Sequence, residues 1–346
     1  MAGIFDSKYF NDEVFGKYLE TVPRIKQNAL LKAGALRVRS DLKTMLADQT
    51  GGNFITVPMV GRIGGDVLNY DGTTDITATG IGTYSQSMIV TGRMKAWQEK
   101  DFTYELTGHN FMENIAAQVG DYWDDVDQAT ILAILEGIFK VTTNSFSSKH
   151  TLDISAESTA NVVDATTLNN AVQKAAGENK NMFTTVIMHS AVATTLENLQ
   201  VLQYWKENDA NGVQRTISLA SWNGRTVLID DNVPTGTGGE SPNTYTTYTT
   251  YILGQGAFDY VDCGVKVPNE TSRDPFTDGG IDTLITRQRK LFAPHGFSFV
   301  QPSTPIVSPT DAQLATQARW TIVTDSAGSG YYDNKAIPFA RIISRG

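Results

Sequence analysis

The chain of 346 residues sets 28 Lys and Arg against 37 Asp and Glu, a formal charge of −9, and is 40% apolar but only 19% charged. That balance excludes a protein that grips nucleic acid by its net field. The single cysteine, Cys263, excludes an intramolecular disulfide framework and any multi-cysteine metal site. No run reaches the roughly 18 apolar residues of a membrane-spanning helix, and Met1-Ala2-Gly3-Ile4-Phe5-Asp6 does not open a signal peptide. The expectation is a soluble protein of a reducing cytoplasm, with material for two ordinary domains or one elaborated one.

Taken in chain order, residues 12–48 read as a thin amphipathic helical segment. Val14, Tyr18, Leu19, Val22, Ile25, Leu30, Leu31, Ala35, Leu36, Leu42, Met45 and Leu46 recur at helix-like spacing, with breaks near Pro23 and Gly34. Its apolar surface is too small to fold alone, so it must lie on its own domain or on a neighbouring subunit. Phe54, Ile55, Val57 and Met59 then begin a strand, and Ser87 to Trp97 reads as a second. Between them lie Gly61-Arg62-Ile63-Gly64-Gly65 and a stretch rich in Asp, Gly and Thr, so the pair predicts a long ribbon with a polar, glycine-rich tip. A free two-stranded ribbon is marginal in water, which predicts a partner surface beneath it.

Asn110 to Lys140 predicts a long helix: Phe111, Ile115, Val119, Tyr122, Val126, Ala129, Leu132, Leu135 and Phe139 step by three or four. Asn110 with Glu113 makes a capping-box-like start. Phe111, Ile115, Val119 and Leu132 are its expected core. Asp121, Asp124, Asp125 and Asp127 read as a solvated face, because neighbouring helical carboxylates diverge by about 100° and do not converge on one ion. Residues 150 to about 265 alternate helix and strand, the pattern of an α/β domain. Asp164 can cap a helix ending at Gly177, Phe183–Met188 is a buried strand, Thr226–Ile229 is another, and Tyr245–Leu253 a third. Thr235 to Pro242 reads as a flexible tip. Ile281 to Lys290, Leu291 to Val300, a short helix at 310–318, and the strands at 320–323 and 337–343 follow, with the late strands expected beside the long helix.

Chemistry finds little support. His109, His150, His189 and His295 form no HExxH and no pair at i, i+4. There is no phosphate-binding P-loop, and no GxSxG nucleophile elbow. Gly254-Gln255-Gly256 lacks the third glycine of the dinucleotide fingerprint. Cys263 has no neighbouring His or Lys to activate it. Asp230 and Asp231 follow a strand, where catalytic carboxylates occur, but Asp-Asp-Asn-Val-Pro is equally turn chemistry. The alternating Arg287, Arg289 and Lys290, like Arg37 with Arg39, read as a solvated face or as intersubunit ion pairs. No cofactor or metal is expected.

Several strings carry a resemblance. Gly224-Arg225-Thr226-Val227-Leu228-Ile229-Asp230-Asp231-Asn232-Val233-Pro234, Tyr251-Ile252-Leu253-Gly254-Gln255-Gly256-Ala257-Phe258, Phe292-Ala293-Pro294-His295-Gly296-Phe297, and Pro309-Thr310 with Leu314-Ala315 and Trp320 stand in fixed order. Together with the order of arm, ribbon, long helix and α/β insertion, they resemble the major capsid protein of tailed bacteriophages, with the Hong Kong 97-type fold. The resemblance implies an α+β fold with an N-terminal arm (1–50), an extended β-ribbon loop (51–100), a spine helix and peripheral domain (101–150), an inserted axial α/β domain (151–265), and peripheral-domain return strands (266–346).

The function it implies is structural: self-assembly into pentamers and hexamers of an icosahedral head enclosing double-stranded DNA, without sequence-specific binding. It implies a virion location after assembly in the host bacterial cytoplasm, with a portal and room for decoration proteins. The arm begins within about a dozen residues of Met1, which predicts a separate scaffolding protein rather than a fused scaffolding segment. Leu68, Tyr70, Ile76 and Ile81 on the ribbon, with Arg37, Arg39, Arg287 and Arg289, are the expected intersubunit residues. Two alternatives remain: an encapsulin-like compartment shell of the same fold, and an enzyme working through Asp230, Asp231 and His189.

Overall fold

Alternation along Thr83–Lys100 builds the longest strand, 18 residues that rise roughly 60 Å at the usual ~3.3 Å per residue. Its first part pairs antiparallel with Phe54–Val60, from Val60 opposite Thr83 to Phe54 opposite Ile89. Its second part pairs with Ile281–Pro294, from Val90 opposite Leu291 to Lys100 opposite Ile281. The ribbon is thus rooted in a sheet. The computed structural model describes residues 34–48, 52–60, 67–76, 83–107, 111–208, 214–239, 242–325 and 330–346, so the earlier part of the expected arm, Ile81, His109 and Asn110 lie outside the described residues.

Among the described residues the root sheet has six strands. Leu36–Val38, Phe258–Asp262, Ile281–Pro294, Thr83–Lys100 and Phe54–Val60 lie in that order, and Asn269–Asp274 pairs on Ile281–Pro294. A second sheet has eight, running Thr151–Asp153, Phe339–Ser344, Tyr245–Gly254, Phe183–Met188, Arg225–Ile229, Gln214–Trp222, Gln203–Asn208, with Thr235–Gly238 added on Tyr245–Gly254. The helices Thr167–Ala176 and Ser190–Asn198 bury Leu168, Val172, Val192 and Leu196 in one cluster with Val186, Ile252 and Ala340 of this sheet.

The long helix, Phe111–Ile138, has 28 residues and so runs about 42 Å. Ile131, Ile134, Leu135 and Ile138 are buried in a cluster that draws Phe292 and Phe258 from the root sheet and Tyr251 and Phe339 from the second. Leu132 is buried in the same cluster, Val119 is half-buried, and the side chains of Phe111 and Ile115 are outside the described residues. Near its end the helix runs so close to the closing segment that a Cβ on Gly137 would meet the Leu314 carbonyl and the Trp320 indole. That indole donates to the Leu314 carbonyl at 2.6 Å, and Thr310 with Gln313 closes a capping box on the helix Asp311–Leu314.

Several expectations need correction. Leu36–Val38 is a strand parallel to Phe258–Tyr260, not the continuation of a helix, and the helix proper is Ser40–Asp48. Thr235–Gly238 is not a loose tip but pairs with Tyr245–Tyr248. Ile281–Pro294 is one strand where two were read. Trp320–Ile322 does end near the long helix, paired with Phe297–Phe299. Phe339–Ser344 instead joins the second sheet between Thr151–Asp153 and Tyr245–Gly254. Asp127 is buried rather than solvated, because Lys290 and Gln288 of the root sheet reach it.

Candidate functional site

Beyond the paired part of the ribbon, Asp71 shapes the tip by accepting from the Thr73 and Thr74 amides at 2.9 and 2.7 Å. That turn fixes backbone but covers nothing. Val67 is 97%, Tyr70 98% and Ile76 86% exposed, and Leu68 is exposed too. An isolated exposed apolar residue is ordinary, but four within ten residues form a patch of the kind that marks an interaction site. A second presentation was not legible in the sequence, where Phe276 sits alone among polar residues. Phe276 is 96% exposed on the turn before Ile281–Pro294. The turn is braced by Asp274, which accepts from the Phe276 amide at 2.9 Å, and by the Lys100–Asp278 ion pair at 2.6 Å. Arg273 ties its base to Asp101 and Asp282 at 2.5 and 3.0 Å.

The arginines expected between subunits have partners within the chain. Arg37 and Arg39 both reach the buried Asp259, at 2.7 and 3.3 Å, and Arg39 also reaches Asp41. Arg287 pairs with Glu270 at 3.0 Å, and Arg289 donates to the Asn53 side chain at 2.5 Å. These contacts pin Leu36–Val38 and Asn269–Asp274 to the root sheet.

The residues considered for catalysis serve local structure. His189 caps the helix Ser190–Asn198, its Nδ1 accepting from the Ala191 amide at 3.1 Å. Asp231 accepts from the Ser190 amide at 3.1 Å and lies 3.8 Å from His189 Nδ1. Asp230 is buried, accepting from the Gln128 side chain and from the Asn232 amide at 3.0 Å. These groups tie a strand end to the next helix and to the long helix. Burial pushes the Cys263 thiol up to about 11, the opposite of a reactive cysteine. Among the described residues, no group of three or more His, Cys, Asp or Glu is placed to hold a metal ion, and no helix is long and apolar enough to cross a membrane.

Two sheets joined through one long helix, with an apolar-tipped ribbon, define a class of protein. The architecture matches the capsid of Ralstonia phage GP4 with a TM-score of 0.56 at 10% identity, covering 93% of this chain and 88% of that one. It matches the capsid asymmetric unit of cyanophage Pam1 at 0.55 and 9% identity, covering 100% and 98%. It matches the acid-stable capsid of Helicobacter pylori bacteriophage KHP30 at 0.54 and 12% identity, covering 100% of both chains. The fold is the α+β fold of phage capsid shells.

The sequence adds a more particular likeness. Over 314 residues, 90% of this chain and 92% of the relative, it is 26% identical to the major capsid protein of Bacillus phage SPP1. No protein-family model matches the chain. In sequence the chain is thus similar to a phage major capsid protein, and in fold to the shells of phage heads.

Proposed function

We propose that this capsid protein tiles an icosahedral head as pentamers and hexamers and encloses double-stranded DNA without reading its sequence. The observation that carries the reading is the ribbon tip. Val67, Tyr70 and Ile76 stand in solvent beyond the paired part of the ribbon, and among the described residues no sheet or helix covers them. A sister subunit beneath the tip would remove that apolar surface from water, and head-to-tail contacts of this kind close into rings. In the vocabulary of the Hong Kong 97-type fold, residues 1–50 act as the arm, 51–100 as the extended loop, 101–150 as the spine helix with peripheral domain, and 151–265 as the axial domain. Residues 266–346 return to the peripheral domain, except that Phe339–Ser344 goes on to complete the axial sheet.

The intersubunit contact is assigned to Leu68, Tyr70, Ile76 and Ile81. Arg37, Arg39, Arg287 and Arg289 enter it only as charges shared with their in-chain partners. The net charge of −9 suits a shell that does not adhere to the polyanion inside it. The partners of this reading are other copies of the chain, a separate scaffolding protein, a portal and decoration proteins, with assembly in the bacterial cytoplasm. Deleting residues 68–81 tests it. The deleted subunit should keep the circular dichroism and melting behaviour of the intact one and form no shells by negative-stain microscopy. Normal particles from the deletion would overturn the reading.

A further inference from the structure

Among the described large apolar side chains, only Val67 and Tyr70 of the ribbon tip stand further into solvent than Phe276. The turn that carries Phe276 is held from several sides. Asp278, Gly279 and Gly280 all take positive φ, of 50°, 81° and 126°. The Gly280 amide donates to the Thr277 carbonyl at 3.0 Å, and the Thr277 hydroxyl donates to Asp274 at 2.6 Å. The Gly280 carbonyl accepts from the Asp101 amide at 3.1 Å, which fastens the turn to the start of the helix Asp101–Thr107. No side chain fits at position 280, because a Cβ there would run into the Asp101 carboxylate. The helix adds Phe102 and Leu106, four residues apart and so on one face, and both are exposed. This end of the root sheet therefore sets three large apolar side chains in solvent. The ribbon tip lies beyond the Thr83 end of the longest strand and this patch beyond its Lys100 end, opposite Ile281. The strand rises roughly 60 Å between them, so two separate contacts are needed to cover both.

The charged groups around the turn are paired within the chain, Arg273 with Asp101 and Asp282, and Lys100 with Asp278. They brace the patch and leave its apolar side chains to make the contact, with Phe276 as the aromatic anchor. Symmetry says which partner it fits. A head-to-tail contact that closes into a ring engages both of its faces on every copy. Rings joined through the ribbon tip therefore have no free tip to hold one ring to the next. A shell made of rings needs a second, different contact on each subunit, and the Phe276 patch is an apolar surface set well away from the first.

We propose that Phe276, with Phe102 and Leu106, meets a second copy of this chain in a neighbouring ring and joins ring to ring. The proposal rests on the shell reading and adds the contact that the ribbon tip does not supply. The test is Phe276→Ser in the full chain, expressed under conditions in which the intact chain forms particles. Circular dichroism and urea unfolding should match those of the intact subunit. Sedimentation and negative-stain microscopy should show particle yield down about tenfold, with the subunits accumulating as pentamer- and hexamer-sized rings. Phe276→Leu should restore particles, and Phe102→Ser with Leu106→Ser should repeat the loss. Normal particles from Phe276→Ser overturn the proposal. So does an accumulation of single subunits, which would put Phe276 inside the ring. A photo-crosslinking benzoylphenylalanine at position 276, in particles assembled from mixed isotopically light and heavy copies, reads the partner directly by mass spectrometry. The expected adducts join light to heavy copies. Adducts with another protein, within one copy only, or none at all overturn the proposal. Intact particles with an indifferent Phe276→Ser sink this contact alone; an intact chain that makes no particles by any route sinks the shell reading and this contact with it.

Discussion

Tyr251 and Tyr70 are the same residue in opposite circumstances. Tyr251 sits in the middle of the eight-stranded sheet, 1% exposed and stacked on Phe139 of the segment that ends the long helix. Tyr70 sits at the end of the ribbon, 98% exposed, among Val67, Leu68 and Ile76, which are exposed as well. In the first region Tyr251 has a paired strand on either side, Phe339–Ser344 and Phe183–Met188, and it shares an apolar cluster with the long helix, so the chain supplies its own core. In the second, apolar residues stand where no described residue covers them. On the proposed reading a subunit folds through the first region, and the second is left as surface for a sister copy. Changes in the body should therefore unfold the subunit, and changes in the tip should spare the subunit and stop the shell.

The sharpest way to break that division is at Asp127. Its carboxylate is buried against Lys290, whose side chain is itself largely buried, and against Gln288 at 3.1 Å. Burial pushes the Asp127 carboxyl up, and the Lys290 and Gln288 contacts oppose that. Asp127→Ala leaves the Lys290 charge in the interior and should cost about 3–5 kcal/mol in denaturant unfolding, whereas Asp127→Leu with Lys290→Met should recover most of it.

His150 comes next and adds a pH dependence to the body. Its ring stacks on Phe146 at 4.4 Å, and Nδ1 donates to the Phe339 carbonyl at 2.6 Å, which leaves Nε2 buried without a partner. Burial lowers its pKa from 6.5 to about 4. The unfolded chain therefore binds the proton first. The stability tied to neutral His150 is full above pH 6.5 and falls by about 3 kcal/mol as the pH drops to 4. Urea unfolding across that range should show the slope, and His150→Gln should flatten it.

Gly137→Ala should cost about 1–3 kcal/mol in the same measurement, because the added methyl must push apart the helix and the Leu314–Trp320 contact. Tyr70→Ser is the smallest for the subunit. Its stability should change by less than about 0.5 kcal/mol, since the ring is 98% exposed. Particle yield, counted by microscopy, should nevertheless fall.

The sequence made the local part of this division legible. Alternation at Phe54–Met59 and from Ser87 onward marked the ribbon, and the three-four spacing from Val119 to Phe139 marked the long helix. The Asp164 turn was nearly legible as well: its carboxylate accepts from the Thr166 and Thr167 amides at 2.8 Å each, but it sits just ahead of the helix, whose N-cap is Thr166 rather than Asp164. What escaped was long-range. Leu36–Val38 is too short to show a period of its own, and its strand character comes from Phe258–Tyr260, more than 200 positions later. Phe339–Ser344 gave no sign of which sheet it would join. Asp127 looked like its neighbours Asp124 and Asp125, because the burying lysine lies on a distant strand. Phe276 went unread for the same reason: exposure depends on what the rest of the chain leaves uncovered.

The central claim is that the ribbon tip is completed by sister copies. A cysteine placed at the tip, Tyr70→Cys, measures this through its rate of reaction with a maleimide in free subunits and in assembled particles. Native Cys263, half-buried and with its thiol pushed up to about 11, serves as the slow internal reference. The account predicts fast labelling at position 70 in the free subunit and at least tenfold protection in the particle. Equal rates in both states, or protection already present in the free subunit, would contradict it.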